Sequence, residues 1–162
     1  MATIEENKKL IEEFPFLLPR SRFFDKVPNN YDYSYTELDN MPEGWRKAFG
    51  IEMCKEIKAE LLKHNYLNDY RILEIKEKYG GLRWYSGPTL KDSNLLDIIH
   101  KYEDLSFKIC IDCGKQAEYI SKGWISPYCK NCKKIHEKNS ATKYIPLDKE
   151  ELKEIFEENF TK

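Results

Sequence analysis

The stretch CIDCGKQAEYISKGWISPYCKNC, residues 110–132, carries two Cys-x2-Cys pairs with fifteen residues between Cys113 and Cys129. Two such pairs at this separation are a strong zinc signature. Each Cys-x2-Cys turn aims two thiolates at one point, and Zn²⁺ takes four ligands at the corners of a tetrahedron. Cys110, Cys113, Cys129 and Cys132 are therefore the expected ligands of one Zn²⁺. Four cysteines close the coordination shell, whereas catalytic zinc keeps an open position, so the expected role is structural. Gly114 follows the first pair, where the backbone must turn tightly with positive φ. The span QAEYISKGWISPY reads as two short strands about Lys122-Gly123, too poor in apolar residues to fold without a metal. The expectation is a zinc-ribbon or treble-clef-like knuckle. A redox dithiol would need one pair and a βαβ setting, and neither pair has that setting. His136, four residues past Cys132, is expected at the surface.

Upstream, YRILEIKEKY at 70–79 places Leu73 and Ile75 in alternation with charged residues, which predicts a half-buried strand. Gly80-Gly81 supplies a turn, and Leu82 to Ser86 returns as the second strand of a hairpin. Alternation sends Leu82 and Trp84 to the inner face. Arg83 and Tyr85 go to the outer face, beside Lys76 and Lys78, where Arg83 is expected to pair with Glu77 or Glu74. For an anionic partner, the candidate binding residues are Lys76, Lys78, Arg83 and Tyr85 on the hairpin and Lys130, Lys133 and Lys134 on the knuckle.

Two helices are expected around the hairpin. One runs from Pro42 to about His64, with Trp45, Phe49, Met53, Ile57 and Leu61 at every fourth position and Gly50 as its weak point. The other spans about Ser93 to Leu105. Cys54 reads as a small buried hydrophobe and His100 as solvated. Thr3 and Glu6 form a capping box for a first helix that Pro15 stops. From Phe14 to Pro42 the chain is rich in proline and aromatics, and Phe16, Leu17, Leu18, Phe23 and Phe24 are expected to pin it to the core. Tyr31, Tyr33 and Tyr35 alternate along an extended segment. A second capping box at Asp148–Glu151 opens a final amphipathic helix. The reading is thus α+β, with helices packed on a short antiparallel hairpin sheet. Four segments follow: 1–42 wraps, 43–106 forms the core, 107–143 the knuckle and 144–162 the last helix.

The 162 residues hold 27 Lys+Arg against 28 Asp+Glu, a net charge of −1. That balance argues against bulk non-specific binding of nucleic acid or membrane. An aromatic share of 14% makes a core affordable despite 34% charged residues. No apolar run is long enough to span a bilayer, and MATIEENKKL lacks a signal-peptide core, so a cytoplasmic, reducing location is expected. Charge is uneven: residues 106–143 hold eight lysines, no arginine and three acids, and 148–162 is net acidic. A nucleic-acid footprint usually includes arginine. No nucleophile–base–orienter set emerges, which leans the reading away from an enzyme.

Gly44-Trp45, IKEKYGGLRWY at 75–85, Ser106, Cys110-Ile-Asp-Cys113-Gly114, Gly123-Trp124 and the closing Cys129-x2-Cys132 together resemble a widespread family of uncharacterised bacterial and bacteriophage proteins. Its members carry K-E-K-[FY]-G-x-L-R-[FYW]-Y and a zinc knuckle. The N-terminal PFLLPR and YDYSYTELD are similar to versions from phages and prophages of Gram-positive gut bacteria. The resemblance implies a small accessory protein with structural zinc and no catalytic residues. With no catalytic set in view, the reading is a binding protein that engages a macromolecular partner, a host protein by preference, and the phage-like resemblance implies an inhibitor or modulator such as an anti-defence factor. The alternatives are a binder of single-stranded nucleic acid or a nucleotide, through the hairpin and the lysine-rich knuckle, and a hydrolase or nuclease built on a carboxylate cluster.

Overall fold

The computed structural model describes residues 2–147, so the capping box and final helix expected from Asp148 onward lie outside the described residues. Helix α1, Ile4–Glu13, starts at the expected capping box: Glu6 N donates to Thr3 Oγ1 and Thr3 N to Glu6 Oε2. Its buried Asn7 donates through Nδ2 to the Tyr33 carbonyl at 2.8 Å, tying the helix to the irregular segment that follows.

The second helical stretch is interrupted. A single turn, α2 (Glu43–Trp45), passes into a π-turn (Arg46–Gly50) and then into α3, Ile51–Lys63. The interruption answers a problem posed by the sequence. Trp45, Phe49, Met53, Ile57 and Leu61 are four apart, but an α-helix turns every 3.6 residues, so such a row drifts around the axis. A wider i→i+5 turn takes up the drift. All five side chains end up buried.

Strands β1 (Arg71–Lys78) and β2 (Gly81–Gly87) form the hairpin, with Ile75 opposite Trp84 and Lys76 opposite Arg83. Trp84 and Leu82 face inward as expected, and the Trp84 indole N–H donates to Tyr70 Oη at 2.9 Å. Two details differ from the sequence reading. A β-bulge between Ile72 and Glu74 ejects Leu73, which is 45% exposed, and Ile72 takes the inner place beside Ile75. The turn is Tyr79-Gly80, both at positive φ, the pairing that matches the twist of a two-residue hairpin loop. Gly81 already belongs to β2, and a Cβ there would collide with the Phe107 ring.

Helix α4, Leu95–Ser106, packs on β2 and α3. The buried Glu60 carboxylate accepts from Asn94 N at 2.9 Å where α4 begins, and Ser106 Oγ accepts from Leu82 N at 2.8 Å near its end. Burial pushes the Cys54 thiol up to about 12, as suits an inert core residue.

The wrapping segment is half as expected. Phe14, Phe16 and Leu17 are buried, with Phe16 edge-on to Tyr70, and Leu18 is half-buried. Phe23 and Phe24 instead point to solvent, 89% and 74% exposed. Residues 21–26 close on themselves through Ser21 N to Lys26 O and Asp25 N to Ser21 O, which leaves both rings on the outside of the turn. The rings of Tyr31, Tyr33 and Tyr35 do cluster, although Tyr33 has φ of 62° and so breaks the extended segment.

Past Ser106, β3 (Tyr119–Ser121), β4 (Pro127–Tyr128) and β5 (Tyr144–Pro146) form an antiparallel sheet in the order β4-β3-β5. Helix α5, Lys130–Glu137, leaves directly from β4. A turn with two cysteines, a hairpin, and a helix with two cysteines at its start make a treble-clef arrangement. No helix among the described residues is long and apolar enough to cross a membrane.

Candidate metal centre

The first pair of cysteines sits on a tight turn. Gly114 N donates to Cys110 O at 3.0 Å, Cys110 N to Lys115 O at 2.7 Å, and Gly114 has the expected positive φ of 81°. The second pair opens α5. Cys129 is its N-cap, with the sulfur accepting from Cys132 N at 3.4 Å. The two turns converge, and all four Sγ atoms lie within 4.8 Å of one another. Cys113 and Cys129 are 3.6 Å apart, with no disulfide. A tetrahedron with metal–sulfur bonds of about 2.3 Å has sulfur–sulfur edges of about 3.8 Å. The cluster therefore has the dimensions of a four-thiolate metal site.

Burial raises the Cys110 and Cys132 thiols. Burial raises Cys129 as well, but the Cys132 amide and the neighbouring thiols outweigh it and bring Cys129 down to about 7. Metal ligation by cysteine requires the thiolate, so binding of a divalent cation here would release protons.

The knuckle is keyed into the core by two glycines. Gly44 N donates to Ile111 O at 2.8 Å, and a Cβ on Gly44 would overlap the Cys110 carbonyl. A Cβ on Gly114 would lie 2.6 Å from Gly44 O. Beside them the Trp45 indole N–H donates to Ile109 O at 2.9 Å. On the other side, Gly80 leaves room for Ile125. The Gly44-Trp45 and Gly80-Gly81 signatures thus mark where core and knuckle meet.

His136 lies at the surface, as the sequence suggests. Its Nε2 is 2.6 Å from Asp112 Oδ2, which pins α5 to the first cysteine turn. Sequence reasoning missed this contact, although Asp112 between Cys110 and Cys113 and a histidine one helical turn past Cys132 were its visible signal.

The candidate binding lysines fare differently. Lys130 and Lys134 are exposed. Lys133 is not free: its Nζ is 2.6 Å from Glu137 and lies over the rings of Tyr119 and Tyr144. On the hairpin, Lys76, Arg83 and Tyr85 share the outer face. Lys76 Nζ sits 3.3 Å from Glu74 and over the Tyr85 ring, and Lys78 lies over Tyr79. Of the two acids expected to pair with Arg83, Glu74 engages Arg22 and Lys76, and Glu77 accepts from Gly80 N at 2.7 Å.

Compared with known proteins, the chain matches no family model, no curated protein and no solved structure.

Proposed function

We propose that Cys110, Cys113, Cys129 and Cys132 hold one structural Zn²⁺, and that the protein is a phage- or prophage-type accessory protein that acts by binding a host protein. The observation behind the metal assignment is the convergence of four thiols at tetrahedral spacing. A shell filled by four side chains leaves no position for a substrate, so the ion's work is to hold the fold. The work of the protein then falls to its surface. Phe23, Phe24 and Trp124 are all at least 74% exposed on tight turns, a presentation suited to contact with another macromolecule. Inhibition or modulation of a host process such as defence is the role that the family resemblance suggests.

Elemental analysis of the purified protein tests the metal, with one zinc per chain expected. Full zinc occupancy in a Cys113→Ser/Cys129→Ser variant would overturn the assignment, and iron in place of zinc would correct the ion. Trp124, 80% exposed and two residues after Lys122 in sequence, supports a second reading, the stacking of single-stranded nucleic acid. The ratio of absorbance at 260 and 280 nm separates the two. A protein-like ratio, with host protein captured, favours the first reading, and co-purified nucleic acid favours the second.

A further inference from the structure

We propose that the loop at residues 21–26 is a docking knob, whose Phe23 and Phe24 enter an apolar pocket rimmed by carboxylates on a protein partner. The inference rests on the protein-binding reading above and deepens it. Isolated exposed hydrophobic residues are ordinary, but two adjacent phenylalanines at 89% and 74% exposure on one closed turn are not.

The turn is held firmly. Inside it, Ser21 N donates to Lys26 O at 2.8 Å and Asp25 N to Ser21 O at 2.9 Å, with Asp25 at φ of 48°. Arg20 donates to Asp25 O at 3.1 Å, and Arg71 Nε to Asp25 Oδ1 at 3.0 Å. Arg22, next to the phenylalanines, donates to Leu73 O at 3.0 Å and pairs with Glu74 at 3.1 Å. Leu73 is the residue that the β-bulge ejects, and a bulge leaves its extra residue outside the strand ladder. The hairpin's irregularity thus supplies the acceptor that anchors the loop, and the 45% exposed Leu73 extends the apolar surface at its base.

Two features select the partner. Arg20, Arg22, Lys26, Arg71 and Lys76 surround the loop against Asp25, Glu37 and Glu74, so its base is net positive and complements an acidic rim. The guanidinium groups of Arg22 and Arg71 are bound to the carbonyls of Leu73, Asn68 and Tyr70. Their Nε edges are occupied, so neither forks an incoming phosphate or carboxylate, and an acidic rim is met by the net charge of the base instead of by a bidentate pair. A rigid knob also loses little conformational entropy on entering a formed pocket.

The test is a displayed library of random linear peptides, selected on the full chain and rescreened on Phe23→Ser/Phe24→Ser. Thermal melts of both proteins, and of Phe23→Ser alone, should coincide, because neither ring packs in the core. The expected peptides combine acidic and apolar residues, and binding should fall at least about tenfold in the double variant, the loss of a buried aromatic anchor. Peptides that bind the double variant equally well would overturn the knob and leave the protein-binding reading standing. If no peptide is selected, and phosphatidylcholine/phosphatidylglycerol vesicles or oligo-dT bind the wild type but not the variant, both fail. A wild-type dimer in sedimentation that becomes a monomer in the variant would assign the knob to a second copy and overturn the proposal.

Discussion

Up to Ser106 the chain folds around a cluster of nineteen buried hydrophobic residues, from Phe14 to Tyr102. Among the described residues beyond it, the buried hydrophobics are Cys110, Ala117, Ile120 and Cys129, and two of those are candidate metal ligands. The first region is stable because it removes apolar surface from water. The second has little such surface to remove. It relies on the cysteine cluster, on backbone bonds such as Cys110 N to Lys115 O, and on a serine network in which Ser121 Oγ accepts from Ser126 N and donates to Trp124 O. One chain therefore contains a unit whose stability follows side-chain volume and a unit whose stability should follow metal concentration and thiol chemistry.

The largest effect is expected from taking the metal away. Chelation, or Cys113→Ser, should unfold residues 107–147 while 43–106 keeps its hydrogen-exchange protection, since apparent zinc binding energies in small knuckles reach about 10–16 kcal/mol. Alkylation with mass-spectrometric readout sharpens the contrast. After chelation, Cys110, Cys113, Cys129 and Cys132 should label, and Cys54, buried with its thiol raised to about 12, should not. Simultaneous labelling of all five would mean that the two regions fold as one.

Trp84→Ala probes the other side of the divide. Removing this buried indole should cost about 3–5 kcal/mol in urea denaturation and leave zinc stoichiometry at one. Arg83→Ala, on the outer face, should cost far less. A stable Trp84→Ala would reverse the two faces of the hairpin.

Gly44→Ala is the intermediate case, because it lies in a core helix but meets the Cys110 carbonyl. A loss of roughly 1–3 kcal/mol is expected from overpacking, together with faster zinc release to a chromophoric chelator. Unchanged release would show that the joint carries no coupling.

The smallest effect is on pH dependence. The Asn94 amide holds the Glu60 carboxyl below its ordinary 4.5. A depressed folded value contributes stability above the unfolded pKa, and that contribution is lost as pH falls through the folded one. Glu60→Gln should flatten this acid limb of the core's melting curve.

The four-cysteine cluster was the most legible part of the sequence, because ligand chemistry demands particular residues at particular spacings. Thr3-x-x-Glu6 and the Leu82/Trp84 face were legible for a similar reason, since each rests on local geometry. The misread features depend on long-range partners. Leu73 fits a strand pattern by itself, and only the register against β2 ejects it. Phe23 and Phe24 look like core residues until Asp25 is seen bonded to Arg71, far along the chain. Lys133 counts as a free charge until the sheet brings Tyr119 and Tyr144 beneath it.

The π-turn at Arg46–Gly50 has a consequence for how this helix tolerates changes in length. Such a turn is equivalent to one surplus residue in an otherwise regular helix, so the segment tolerates a deletion there that it would not tolerate elsewhere. Removing Ala48, which is exposed, would let the ladder heal into an ordinary α-helix with Trp45 and Met53 still on the buried side. One residue removed from α3 would instead rotate everything beyond it by about 100°, the angular step of a 3.6-residue turn, and bring charged positions such as Lys55 and Lys58 toward the core. A single-residue deletion scan across 43–63 should therefore have its most permissive site inside the π-turn.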